Sequence, residues 1–398
     1  MYAIINTKLI LEESLVWDGA VVFDERGILA AGPRETVHIP QEAEVVDAGG
    51  LYTTPGFIDI HNHGSDQALF HLEPEQCAEH FLRHGETTVL PTLYCNLSAE
   101  EMTEGARRVR EAAAGGGACA ILDGLYLEGP YMSGEGSNQN TIRWTGEIRP
   151  EEYEPLVDEL ADQVRIWAID PARPGIENFM AYVKQRNPKA IFALGQSHAT
   201  AAQCRAVADY GVRVQTPHGD SGKAAGRAQG TIGAGCDEYT LSHPELYAEL
   251  ICDQMGIHVD PDMIRMVIRT KGVERIVLIT DSMAAATDPE TGRPYRNNEA
   301  EGILYGPDLN YDYEGHLAGS HLTMDEACRN VMAHSGYGLC HAVRFATINP
   351  ARLLGLDGEV GSIAVGKRAN LLILDDQVRI QTVFLNGRLA CENGLLRL

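Results

Sequence analysis

Between residues 57 and 281 the chain alternates two kinds of hydrophobic pattern. Short apolar runs ending in polar residues recur as FIDI (57–60), TTVLPT (87–92), CAILDGLYLEG (119–129), VRIWAID (164–170), AIFALGQSH (190–198), VRVQTPH (212–218) and RIVLITD (275–281). Runs of this length and branched composition predict buried strands. Between them lie amphipathic stretches, among them EQCAEHFLRHG (75–85), AEEMTEGARRVREAAAGG (99–116), TAAQCRAVADYG (200–211) and DPDMIRMVIRTKG (260–272). Strands alternating with helices at this spacing predict a parallel sheet with helical crossovers. Roughly 300 residues of the pattern suit a (β/α)8 TIM-like barrel, within the α/β class. A doubly wound sheet is the alternative. No GxGxxG follows the first strand, so a dinucleotide-binding fold loses support.

The two ends read differently. AIINTKLIL (3–11), AVVFD (20–24) and EVVDAGG (44–50) are short branched runs broken by turns such as DERG. ANLLILD (369–375) and RIQTVFLNGRLACENG (379–394) read as strands joined by Asn-Gly turns. Residues 1–54 and 356–398 are therefore expected to build one small β-sandwich domain, with the barrel over 55–355.

A chain of 398 residues can bury a large core, and its 44% hydrophobic and 22% charged content is ordinary for a globular protein. The formal net charge of −24 makes nucleic acid an unsuitable partner, because phosphate backbones are bound by basic surface. No run is long and apolar enough to span a membrane. MYAIINTKLI lacks a basic n-region and a cleavage site, so no signal peptide is expected. Nine cysteines, an odd number without a CxxC pair, argue against a disulfide framework and for a reducing cytoplasm. They read as small core residues.

Barrel active sites lie at the C-terminal ends of the strands. His61, His63, Glu128, Gln196, His218 and Asp281 all fall at such ends. In PGFIDIHNHG (55–64), side-chain alternation puts His61 and His63 on one side of a strand's end, a ready pair of metal ligands. The alternatives are two ordinary loop histidines and, for Asp281, a helix N-cap.

HNHG after PGFID, LEGP (127–130), TDSMAAA (280–286), LAGSHLTMD (317–325) and the closing ATINPARLLGL…GSIAVGKRANLLILD together resemble the N-acetylglucosamine-6-phosphate deacetylase family of the amidohydrolase superfamily. The likeness covers nearly the whole chain. It implies a metal-bearing barrel with a β-sandwich, deacetylating an amino-sugar 6-phosphate, commonly as a homodimer. It further implies that His61 and His63 are the first metal pair, Glu128 a ligating glutamate and Asp281 the catalytic aspartate. His258 of GIHVDP would contact the sugar phosphate, and Arg227 of AGRAQG would reach the phosphate across the dimer. Ala318 and Gly319 of LAGS would line the substrate.

Several positions depart from the family's pattern. Gln196 stands in GQSHAT where the family has histidine, with His198 two residues on. Thr216 is followed by Pro217 and then His218, where the family has histidine directly after threonine. Asn138 of GSN replaces a histidine that polarises the substrate carbonyl; an asparagine amide can still donate to it. The amide oxygen of Gln196 is a weaker zinc ligand than imidazole, and His198 or His218 could restore a second site. One divalent ion is expected rather than two, with Zn²⁺ first and Fe²⁺, Mn²⁺ or Co²⁺ also compatible with the donors. The expected activity is metal-dependent hydrolysis of the N-acetyl amide of an amino-sugar 6-phosphate, a small-molecule substrate. The alternatives are a different N-acyl amino sugar or cyclic amide, and a non-catalytic metal- or ligand-binding homologue.

Overall fold

A computed structural model describes residues 1–65, 68–133, 142–220, 233–284, 308–311 and 316–398. Eight parallel strands form the barrel sheet: β1 (Phe57–Asn62), β2 (Glu86–Tyr94), β3 (Leu125–Glu128), β4 (Val164–Ile169), β5 (Ile191–Leu194), β6 (Val212–Gln215), β7 (Tyr247–Ile251) and β8 (Ile276–Ile279). Each strand pairs with its neighbours in chain order. Seven of them match apolar runs read from the sequence. The strand β7, YAELI, was not among those runs, because a glutamate interrupts a stretch of only five residues. Helices α1 (Pro74–Arg83), α2 (Ala99–Gly115), α3 (Pro150–Leu160), α4 (Ile176–Arg186), α5 (Ala201–Val207), α6 (Cys236–Ser242), α7 (Pro261–Lys271) and α8 (Met324–Ser335) follow the successive strands.

Strand alternation explains both the core and the site. Leu125 and Leu127 of β3, Ala248 and Leu250 of β7, and Ile276 and Leu278 of β8 pack outward against the helices. Tyr126, Val214, Tyr247, Ile251, Val277 and Ile279 fill the barrel interior. Continuing the inward parity carries β3 to Glu128, β6 to Thr216 and β8 to Asp281, with Glu249 between Tyr247 and Ile251 on β7.

The barrel closes where β8 meets β1. There the Thr280 hydroxyl donates to Asp59 Oδ2 at 2.6 Å, and the Asp281 N–H donates to the His61 carbonyl at 3.0 Å. Asp59 is fully buried and also accepts from the Asn62 amide at 2.9 Å. Its pKa is raised to about 6, because burial outweighs these hydrogen bonds.

Both termini contribute to a second, nine-stranded sheet. Its central junction pairs Tyr52–Pro55, just before β1, antiparallel with Leu371–Leu374. Ile4, Leu9, Val21, Phe23, Leu371 and Phe384 form its apolar core. Among the described residues no helix is long and apolar enough to cross a membrane. None of the nine cysteines is in a disulfide and eight are buried, with the Cys204 and Cys236 sulfurs 3.5 Å apart.

Candidate metal centre

At the C-terminal end of the barrel, His61, His63 and Glu128 each offer a ligand atom, and these atoms lie within 4.8 Å of one another. The side chains are buried, and His61 Nε2 has no hydrogen-bond partner. A buried imidazole nitrogen facing carboxylates without a partner is the donor set a divalent cation satisfies. Asp281 Oδ1 lies 3.1 Å from His63 Nε2 and 3.4 Å from His61 Nε2. Burial pulls the His61 pKa down, but Asp281, Glu249 and Glu128 outweigh it and raise it to about 10. That concentration of negative charge is what a dication would neutralise in place of the proton. Burial raises the Glu128 carboxyl, with the two histidines opposing. Burial also pushes the Asp281 carboxyl up, but the two histidines win and hold it below the ordinary carboxylate value.

The orientation of His61 is set from behind. Its Nδ1 lies 2.8 Å from Thr216 Oγ1 and 3.1 Å from Glu249 Oε2, and its ring rests 4.7 Å from that of Tyr126. Glu249 is fully buried. A carboxylate on Nδ1 favours the tautomer with the proton there and leaves Nε2 free as a ligand. Glu249, Thr216, Tyr126 and Asp59 were not read as site residues from the sequence. The available signal was an acid inside an otherwise apolar strand, as in YAELI and FIDI.

Asp281 adopts φ +48°, in the left-handed region that is uncommon for a residue other than glycine. The strand Leu317–Ser320 holds it there: the Ser320 N–H donates to the Asp281 carbonyl at 2.8 Å, and the Ser320 hydroxyl donates to the Thr280 carbonyl at 2.6 Å. Gly319, at φ +65°, makes the approach possible, since a Cβ there would sit 2.6 Å from the Asp281 carbonyl oxygen. The Gly319 carbonyl accepts from His258 Nε2 at 3.1 Å. His258 Nδ1 faces Asp253 Oδ2 at 3.3 Å, and the Asp253 carboxylate also accepts from the His258 and Ile257 backbone. Burial lowers the His258 pKa, but Asp253 and then Asp220 raise it to about 9, so the ring is an imidazolium at neutral pH.

The remaining predicted residues are distributed around this centre. Ala318 and Gly319 lie half-buried on the strand that supports Asp281. His218 is fully buried just beyond β6, with Nδ1 bonded to Gln215 Oε1 and Nε2 without a hydrogen-bond partner. Burial lowers its pKa. Gln196 is half-buried just past β5, and His198 is exposed. Among the described residues, neither His198 nor His218 joins the cluster of His61, His63 and Glu128. Asn138 and Arg227 lie outside the described residues.

A parallel barrel with two histidines, a glutamate and an ionised aspartate at its C-terminal rim defines a metal-dependent hydrolase. The chain belongs to the amidohydrolase family, whose sequence profile matches residues 52–390. It is 30% identical to an N-acetylgalactosamine-6-phosphate deacetylase of Escherichia coli O157:H7, over 96% of this chain and 97% of that one. It is 27% identical to an N-acetylglucosamine-6-phosphate deacetylase of Haemophilus influenzae, over 97% and 98%. Among solved structures it superposes on N-acetylglucosamine-6-phosphate deacetylase from Pasteurella multocida with a TM-score of 0.83, at 26% identity and covering 98% and 99% of the two chains. A mutant of the Mycobacterium smegmatis enzyme, in complex with N-acetyl-D-glucosamine-6-phosphate, gives a TM-score of 0.81 at 27% identity, covering 98% of each chain.

Proposed function

We propose that the protein is an N-acetylhexosamine-6-phosphate deacetylase that uses one divalent ion, Zn²⁺ first among the compatible metals. The carrying observation is that His61, His63 and Glu128 converge while Asp281 lies 3.1 Å from one histidine and 3.4 Å from the other. When bound by His61, His63 and Glu128, a divalent ion supplies Lewis acidity and lowers the pKa of water to about 7.

The protein's own groups carry the rest. Asp281 accepts the proton of the attacking water and returns it to the departing amine nitrogen. Asn138 donates to the acetyl carbonyl oxygen as negative charge develops there. His258, held as an imidazolium, and Arg227 of the second subunit in a homodimer attract the 6-phosphate. Ala318 and Gly319 line the sugar. The Glu249 contact keeps His61 Nε2 turned toward the reacting atoms. His218, His198 and Gln196 are the candidates for a second ion, with the Gln196 amide oxygen the weaker ligand, and the proposal leaves that second site unfilled. A cytoplasmic location is part of the proposal, on the odd cysteine count without a CxxC pair.

The gluco epimer is the first substrate to test. The galacto epimer is a second reading, favoured by the 30% identity to an enzyme named for it. Acetate release from both 6-phosphates, with zinc supplied to the purified enzyme, decides between them. Release from neither would overturn the proposal.

A further inference from the structure

A cavity of about 1070 Å³ opens at the end of the barrel opposite the metal centre. Its walls come from the entry ends of four strands: Leu125 of β3, Arg165 of β4, Ile191 of β5 and Arg213 of β6. The segment Arg352–Leu356 completes it. Seven cationic side chains line this space against two carboxylates, Asp162 and Glu359, in a chain whose formal net charge is −24. Such an inversion of charge in a concave site concentrates anions there.

Much of that positive charge is uncompensated. Arg165 is paired with Asp123, Arg186 with Asp158 and Arg352 with Glu12, while Glu359 is occupied by Arg368. Among the described residues Arg110, Lys189 and Arg213 have no carboxylate within salt-bridge distance. Lys184 directs its ammonium to the carbonyls of Pro188 and Ala190, at 3.1 and 2.6 Å, which satisfies its hydrogen bonds but leaves its charge. Gly211, at φ +100°, lets Lys184 lie across it: a Cβ there would meet the lysine Cε and Nζ at 2.7 Å. Burial and then the nearby Arg213 depress the Lys184 pKa, so the fold holds like charges together. Repulsion of this kind costs stability and is relieved by a bound anion. The walls also carry Leu354, half-buried, and the edges of the buried Val109, Leu122 and Leu353, a narrow apolar strip beside the cations.

The geometry points to a second ligand site on this basal face, taking an organic di- or triphosphate. The phosphates lie among Arg110, Lys184, Lys189 and Arg213, and the organic body lies on the apolar wall. The volume accommodates a ligand of nucleotide size. The barrel separates the site from the metal centre, so its occupancy does not compete with the substrate.

Equilibrium dialysis of the metal-loaded enzyme against ATP and, separately, inorganic pyrophosphate tests the assignment, with metal content measured before and after. Saturable ATP binding, tighter than pyrophosphate and undisturbed by N-acetylglucosamine 6-phosphate, is expected. The double variant Lys189→Ala/Arg213→Ala, altered at exposed side chains remote from the metal centre, is expected to bind ATP roughly tenfold or more weakly while keeping its deacetylase activity. Absence of saturable binding, displacement by the sugar phosphate, or unchanged affinity in the double variant would overturn it. Pyrophosphate binding as tightly as ATP would remove the organic part of the assignment.

Discussion

At the residue scale, the centre is governed by carboxylates that act on histidines. On the proposed mechanism Asp281 moves the proton, and Asp281→Asn is expected to reduce turnover by about 10²–10⁴-fold. Metal content should be unchanged, since His61, His63 and Glu128 remain; a variant losing both together would show that Asp281 is itself a ligand. Glu249 acts through His61. Glu249→Gln should weaken metal affinity by roughly 10–100-fold, read by competition with a chromogenic chelator, while the protein stays folded. Unchanged affinity would reduce the 3.1 Å contact to packing.

The Asp253–His258 pair predicts a pH dependence with a definite sign. Burial raises the Asp253 carboxyl, but its hydrogen bonds from His258 and the backbone hold it at about 2, below its ordinary 3.8. Its contribution to stability is present above 3.8 and disappears as pH falls through 2. His258 is raised from 6.5 to about 9, so its contribution is full below 6.5 and is lost as pH rises through 9. Asp253→Asn should therefore cost roughly 3 kcal/mol between those limits. In thermal unfolding, the gap between wild type and variant should narrow on either side; a gap unchanged from about pH 5 to about pH 10 would contradict this.

At the element scale, the decisive junction is the closing seam of the barrel. Asp59 and Thr280 tie β1 to β8, and Leu317–Ser320 then fixes the turn that carries Asp281 at φ +48°. Gly319→Ala places a methyl group against the Asp281 carbonyl and strains a backbone at φ +65°. A stability loss of about 1–3 kcal/mol is expected. Turnover should fall on the order of tenfold to a hundredfold, because the aspartate is displaced. A variant as active as wild type would show that the strand does not position it. Seven barrel strands were legible as apolar runs, and His61, His63, Glu128 and Asp281 were legible as polar residues at their ends. The eighth strand and Glu249 were not: YAELI is a five-residue run with an acid at its centre, and only the closed barrel shows which way that acid faces.

At the scale of the whole molecule, the barrel gathers His61, His63 and Glu128 from distant segments into one buried cluster, and both termini meet in a second sheet at Tyr52–Pro55 and Leu371–Leu374. Protein purified without added metal should carry about one divalent ion per chain. His61→Ala should lose it, and chelation should lower the unfolding temperature, because the ion binds the folded state. Two ions per chain would return His198 or His218 to the ligand set. The sequence by itself determined the alternation of strands and helices, the placing of polar residues at strand ends, and the motifs of the family. These are local properties, carried by hydrophobic period and by short runs of residues. Only the tertiary structure decided that Glu249 and Thr216 stand behind His61, that Gly319 supports Asp281, and that basic side chains collect at the far end of the barrel. Each depends on distances between segments that lie far apart along the chain, and those distances exist only once the barrel has closed.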